Sequence, residues 1–330
     1  MFKKIVISCA CIMALNSIVL AQQSESSLPY SKIFAYGMDA NVSPALSLLE
    51  DKDLTAKDLQ FKKDFEARFK GPEDTGNVPG SDHPEMAELL AIFRDYWRKS
   101  LLDIHNSYEK ELGGKVIPYL MKHYPPIRDK QVSRDSLGYY LSGYIHSKDL
   151  FTTEKVDFQG RLLDLCIWQD QLRKTYDVRL SKNEIQAVPV FFLKDFITLG
   201  WMEYATLGRH YPGGWATEEA LYCVEKGYDL ESENFLVSFL AHEGRHFSDK
   251  NFWPELKSAD LEYRAKLTEL SLAEKTSSSL IHFFIENANK DSKNSHQIAN
   301  YCLIRDLSLK LFDVPFEKDV DKWDKMGWEK

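Results

Sequence analysis

The sequence predicts an α+β fold, mostly helical, in which a small mixed sheet lies between an N-terminal and a C-terminal set of helices. Three observations predict it. Apolar residues recur at helical spacing through 59–69 and 86–108, and again in three stretches after 233. Between these sets, 187–193 and 220–224 are short runs of β-branched and aromatic residues. A hydrophobic content of 44%, with 13% aromatic residues, supports a sizeable core and excludes general disorder.

The elements follow in chain order. Lys3 and Lys4, an apolar run over 5–20 and small Ala21 read as an export signal, 1–21. The run is interrupted by Asn16 and Ser17 and is too short for a membrane span, so no stable membrane insertion is expected. The mature chain is then exported, periplasmic or secreted. Residues 22–186 form a mostly helical N-terminal region, and 187–330 form a second domain. The Gly, Pro, Asp and Ser residues of 70–84 predict a loop, and Gly113-Gly114 and Pro125-Pro126 predict further breaks. Residues 139–145 suit either helix or strand. Pro189 places the first β run at an edge or at an irregular start. A turn at 211–214 leads to the second β run. Helices follow at about 233–249, 259–289 and Ser295–Phe312, before a packed tail.

Charge and cysteine usage narrow the function. The chain has 42 basic and 50 acidic side chains, a net charge of −8. Removing 1–21, which holds two lysines and no acid, takes this to −10. An acidic chain makes a poor nucleic-acid binder, so no such partner is expected. Cys9 and Cys11 leave with the signal. Cys166, Cys223 and Cys302 remain, each among apolar neighbours, and they read as small buried hydrophobes. No C-x-x-C pair suggests a cysteine metal cage.

The segment that carries chemistry is His242-Glu243-Gly244-Arg245-His246, behind the apolar run Phe235 to Leu240. Four residues of α-helix turn about 400°, so the two imidazoles lie about 40° apart, one turn from each other. Both can meet one tetrahedral ion. Glu243, about 100° from His242, flanks the same place, where a carboxylate can activate water. The apolar run buries this helix, and buried polar groups require partners. Glycine-rich phosphate loops, G-x-S-x-G elbows and dinucleotide fingerprints do not occur.

This motif resembles that of the zincin metallopeptidases. The resemblance implies a zincin-like core over 187–330, a bound Zn2+, zinc ligation by His242 and His246, and Glu243 as general base. It also implies a third protein ligand downstream. The metzincin branch is excluded, because Asp249 and Phe252 stand where a glycine and a third histidine belong. The gluzincin branch places a glutamate on the next helix, and Glu262 follows His246 by sixteen residues. Glu269 lies two turns further on the same face. One of the pair coordinates zinc, Glu262 being preferred as nearer the return loop, and the other orients a ligand histidine. Lys266 departs from the thermolysin-like pattern, which has an aspartate there. Zincins also pair an edge strand with extended substrate, for which 213–224 is the candidate.

Acyl transfer further calls for a donor to the developing oxyanion. His296 is the first candidate, with Tyr263, His210 and Tyr301 behind it. His282 reads as a packing residue. Arg209 and Arg245 either pair with carboxylates or face solvent. The expected activity is zinc-dependent hydrolysis of a peptide or protein substrate. A non-catalytic metal-binding domain and an amidase acting on cell-wall peptides remain open alternatives, as does the oligomeric state.

Overall fold

The computed structural model describes residues 27–50, 54–76, 83–128, 130–292 and 294–326. The export signal read at 1–21 lies outside the described residues. The fold is mixed α+β, as the sequence predicts at that level. Among the described residues, no helix is long and apolar enough to cross a membrane. The chain forms two compact units, one of 27–171 and 193–212 and one of 172–192 and 213–326.

In the first unit, α1 (Tyr30–Met38), α2 (Ser43–Ser47), α3 (Ala56–Phe69), α4 (Pro84–Leu102), α5 (Glu109–His123) and α6 (Arg134–His146) come first. β1 (Phe151–Thr152), β2 (Phe158–Gln159), β3 (Leu162–Leu163) and the start of β4 (Cys166–Ser181) follow. The end of β5 (Glu184–Leu199) and α7 (Trp201–Ala205) return to this unit. Capping boxes at Thr55/Asp58 and Ser133/Ser136 satisfy the first N–H groups of α3 and α6. Phe65 and Phe69 of α3 and Leu89, Phe93 and Trp97 of α4 are buried.

One open reading for this region is decided and two expectations change. Residues 139–145 are helical, within α6. Gly113 and Gly114 do not break α5, which runs through them and through Pro118. Pro118 lacks the N–H that would bond to the Gly114 carbonyl, so the helix runs on with one bond of its ladder missing. The N-terminal region is also not helical up to 186, because β4 occupies sixteen residues of it. The middle of that strand is exposed on both faces, so it carries no alternating apolar signal.

Asp164 shows how tightly this unit is tied. Its Oδ1 accepts the Trp201 N–H at 2.9 Å, and a Cβ on Gly200, which has φ of 90°, would collide with the same carboxyl. Burial pushes the carboxyl up to about 7, outweighing the Trp201 and Leu165 N–H groups, while Glu203 raises it further. Part of the residue stays exposed, but the carboxyl itself is enclosed. Between the ordinary carboxylate value and about 7, the folded chain holds this proton and the unfolded chain does not. Stability contributed by the group is therefore full at low pH and falls as pH rises through that window. Asp164→Asn is expected to remove this downward slope in urea midpoints. An unchanged slope would mean the carboxyl titrates normally.

In the second unit, residues 172–181 of β4 and 184–192 of β5 form a hairpin closed by Lys182 and Asn183. β6 (Gly214–Ala216) and β7 (Leu221–Val224) form an antiparallel pair with Trp215 opposite Tyr222. The strand order here is β4-β5-β7-β6, which makes β6 an edge. Pro189 thus lies in an interior strand rather than at an edge. The four residues of β7 cover only part of the sixteen of β5, which leaves room for a residue without an N–H.

A π-helical segment, Asn234–Ala241, then leads into α8 (His242–Phe252), followed by α9 (Ser258–Leu272), α10 (Ser277–Glu286), α11 (Ser295–Phe312) and α12 (Val320–Asp324). Phe235, Phe239, Leu240 and Phe247 pack on Val178, Val190, Phe192, Leu221 and Cys223, so the sheet and the segment before α8 share one core. The contact at Gly214 is close enough that a Cβ would run into the Tyr222 carbonyl and the Phe239 ring. A second core joins Leu280, Ile281, Phe284, Leu303, Ile304 and Trp323. The expected helix over 259–289 is interrupted at Ala273–Thr276. There the Glu233 carboxylate accepts the N–H groups of Glu274, Lys275 and Thr276 at 2.6, 2.9 and 2.8 Å. A carboxylate at a helix start offsets both its orphan donors and its dipole.

Candidate metal centre

Helix α8 opens on His242, so its first turns carry His242, Glu243 and His246 against the sheet. Gly244 shows why they lie so deep. A Cβ there would stand 3.0 Å from Val178 and 3.3 Å from Leu180, so glycine lets the helix settle on the β4 strand. Arg245 fixes the helix from the side. Its guanidinium donates to Glu184 at 2.7 and 2.9 Å, to Thr268 at 3.0 Å and to the Leu180 carbonyl at 3.3 Å. Of its two expected environments, Arg245 has the paired one, and its guanidinium ties α8 to the β4–β5 hairpin and to α9. Asp249, fully buried, receives Arg264 at 2.6 and 3.0 Å and adds a second tie from α8 to α9.

Helix α9 brings Glu262 to the histidines. His242 Nε2 lies 3.4 Å from Glu262 Oε2, and His246 Nε2 lies 3.4 Å from Glu262 Oε1. One ligand atom from each of the three residues falls within 4.8 Å of the others. Exposure is 1% for each histidine and 0% for Glu243 and Glu262. Both Nε2 atoms, Glu262 Oε1 and both Glu243 oxygens are buried without a hydrogen-bond partner. Such orphaned groups cost stability unless something pairs with them.

A cation fits that requirement. In a tetrahedron with bonds of about 2.1 Å, ligand atoms stand about 3.4 Å apart, and each imidazole lies at that distance from one of the two Glu262 oxygens. Two imidazoles and a carboxylate are also a donor set for zinc and related divalent ions. The buried His242, His246 and Glu262 group can hold a metal ion.

Glu269, the other acid on this face of α9, does not join the three. It lies 3.2 Å from His242 Nδ1, on the far side of the ring. A carboxylate at Nδ1 fixes the tautomer and leaves the Nε2 lone pair for an ion. Charge runs against that lone pair at His242, where the two carboxylates favour the protonated ring. Burial disfavours a charged His242, but Glu262 and Glu269 outweigh it and raise the ring to about 10. Burial lowers His246 to about 4 against the pull of Glu262. Glu262 is the reverse case, since burial would raise it, but His246 and His296 hold it well below the usual carboxylate range. Burial raises Glu243, with His242 opposing.

Of the sequence candidates for a donor, His296 alone reaches this cluster. It stands in the first turn of α11, where Asn294 caps its N–H, with Nδ1 2.8 Å from Glu262 Oε2. Its side chain is 21% exposed. Tyr263 donates instead to Asp306 at 3.1 Å, and Tyr301 stacks on Phe316. His210 belongs to the other unit, where its ring packs on Phe34. His282 lies 3.1 Å from Asp324 near the surface, so a polar contact joins its packing role. Sequence reading overlooked Lys250, whose Nζ donates to the Ala216 carbonyl at 3.1 Å. The signal was present, since Lys250 continues the His242, His246 spacing by another four residues. The chain matches no protein-family model, no curated protein and no solved structure.

Proposed function

We propose that the chain is an exported zinc-dependent peptidase. The observation that carries this reading is the convergence of His242, His246 and Glu262, with ligand atoms within 4.8 Å of one another, beside a Glu243 carboxylate buried with no partner of its own. His242, His246 and Glu262 would hold the zinc, which when bound would supply Lewis acidity toward a water and a carbonyl.

The chain's own residues supply the rest. Glu243 takes a proton from the attacking water and delivers it to the amine nitrogen of the leaving fragment. Its raised affinity for protons, a result of burial, suits a group that must accept one and then give it up. Glu269 holds His242 in the tautomer that presents Nε2. His296, more exposed than the three ligands, donates to the oxygen on which charge develops. The β6 edge offers backbone groups to an extended peptide. A non-catalytic domain stabilised by its ion is the second reading, favoured by the burial of all four residues to 1% exposure or less.

One experiment separates the two. Purified full-length protein is expected to contain close to one zinc per chain by elemental analysis, and to cut members of a peptide library. Chelation should abolish the cutting and added zinc should restore it. Zinc content without chelator-sensitive cutting would support the structural ion, and no bound metal would remove both readings.

A further inference from the structure

We propose that Lys250 binds a carboxylate of the substrate, on the side of the scissile bond reached along α8 from His246. The inference rests on the peptidase reading and adds the class of substrate.

Position comes first. Lys250 follows His246 by four residues on the same helix, about 40° around and about 6 Å further along the axis. That rise matches between one and two residues of extended chain at about 3.4 Å each. Side chains on a helix lean toward its N-terminus, so the Lys250 ammonium leans back over the turn that carries His246. Its Nζ reaches the carbonyl of Ala216, the last residue of edge strand β6. Lys250 therefore spans the two elements between which an extended peptide would lie.

Charge comes second. The residue is only partly exposed, and among the described residues it forms no ion pair. An ammonium carries three donors, and the Ala216 carbonyl uses one. Burial opposes its charge, while Glu243, Glu262 and Glu218 favour it from beyond ion-pair distance. Yet among the described residues its one hydrogen bond is to a neutral carbonyl, and a ligand carboxylate would add the charge-assisted bond that burial calls for. The three other positive groups of α8 and α9 are committed elsewhere. Arg245 is on Glu184, Arg264 is on Asp249, and Lys266 is buried with its Nζ over the Phe284 ring. The carboxylate can come from the end of a peptide or from an acidic side chain, and Lys250 reads only the charge.

The test is binding, read separately from turnover. Zinc-loaded full-length protein carrying Glu243→Gln is titrated calorimetrically with three N-blocked tripeptides. They are a neutral peptide with a free C-terminus, the same peptide as an amide, and an amide ending in glutamate. At least one carboxylate-bearing peptide is expected to bind about tenfold to a hundredfold more tightly than the neutral amide, the range of a charge-assisted bond. Which one does so identifies the source of the carboxylate. Adding Lys250→Gln, which keeps a donor for Ala216, should bring all three to the amide's affinity with zinc content unchanged. Adding Lys250→Arg instead should restore the preference. Equal affinities for the three peptides, no measurable binding, or a preference that survives Lys250→Gln would overturn the proposal. A preference that depends on Lys250, in a protein that without the Glu243 change cuts no peptide, would uphold this role and remove the peptidase reading.

Discussion

Glu243→Gln is expected to lower peptide turnover by on the order of a thousandfold, within the range general acid–base catalysis supplies. Bound zinc should stay at the level of the unaltered protein. The expectation follows from the division of labour in the cluster. Glu243 has no part in the three-residue group that can hold an ion, yet both of its oxygens are buried beside it without a partner. The amide nearly matches the carboxylate in shape, so packing on the sheet should survive. It cannot accept the proton of an attacking water. Steady-state hydrolysis and elemental analysis on the same preparation check both halves. Unchanged hydrolysis would take the general-base role away from Glu243, and lost zinc would show that the residue holds the metal site together.

The parts of this site legible in the sequence are those written in helical spacing. His242, Glu243 and His246 are fixed by one turn of helix, and Glu262 and Glu269 by two turns of the next. The choice between the two glutamates was less legible, because both lie on one face. What separates them is their height along α9, which puts Glu262 at the two Nε2 atoms and Glu269 behind His242. The polar middle of β4 was less legible again, since a strand exposed on both faces has no apolar period to detect, whereas its partner β5 carries the apolar run 187–193. The π-helical turns before His242 also leave no trace, because the run Phe235 to Leu240 is apolar on nearly every face. The break before α10 depends on Glu233, some forty residues away in the chain. Long-range partners decide such details, and local pattern does not contain them.

His246→Ala is expected to weaken zinc binding by on the order of a thousandfold, taking roughly 10–16 kcal/mol for a full site and dividing it among its ligands. Glu269→Gln should weaken it by only about tenfold to a hundredfold, because Glu269 orients a ligand and does not contribute one. The ranking is the informative result, since it tests whether the two glutamate-bearing turns of α9 differ in kind. Stability gives a second reading of the same order. Paired with an ion, the buried Nε2 and Glu262 Oε1 atoms would no longer be orphaned, so zinc should raise the melting temperature of the unaltered protein. The rise should shrink in Glu269→Gln and vanish in His246→Ala at the same zinc concentration. Equal losses from both substitutions, or a zinc-induced rise that persists without His246, would mean that an ion is held by some other set of groups. Competition titration with a zinc chelator and thermal scans at fixed free zinc measure the two rankings independently.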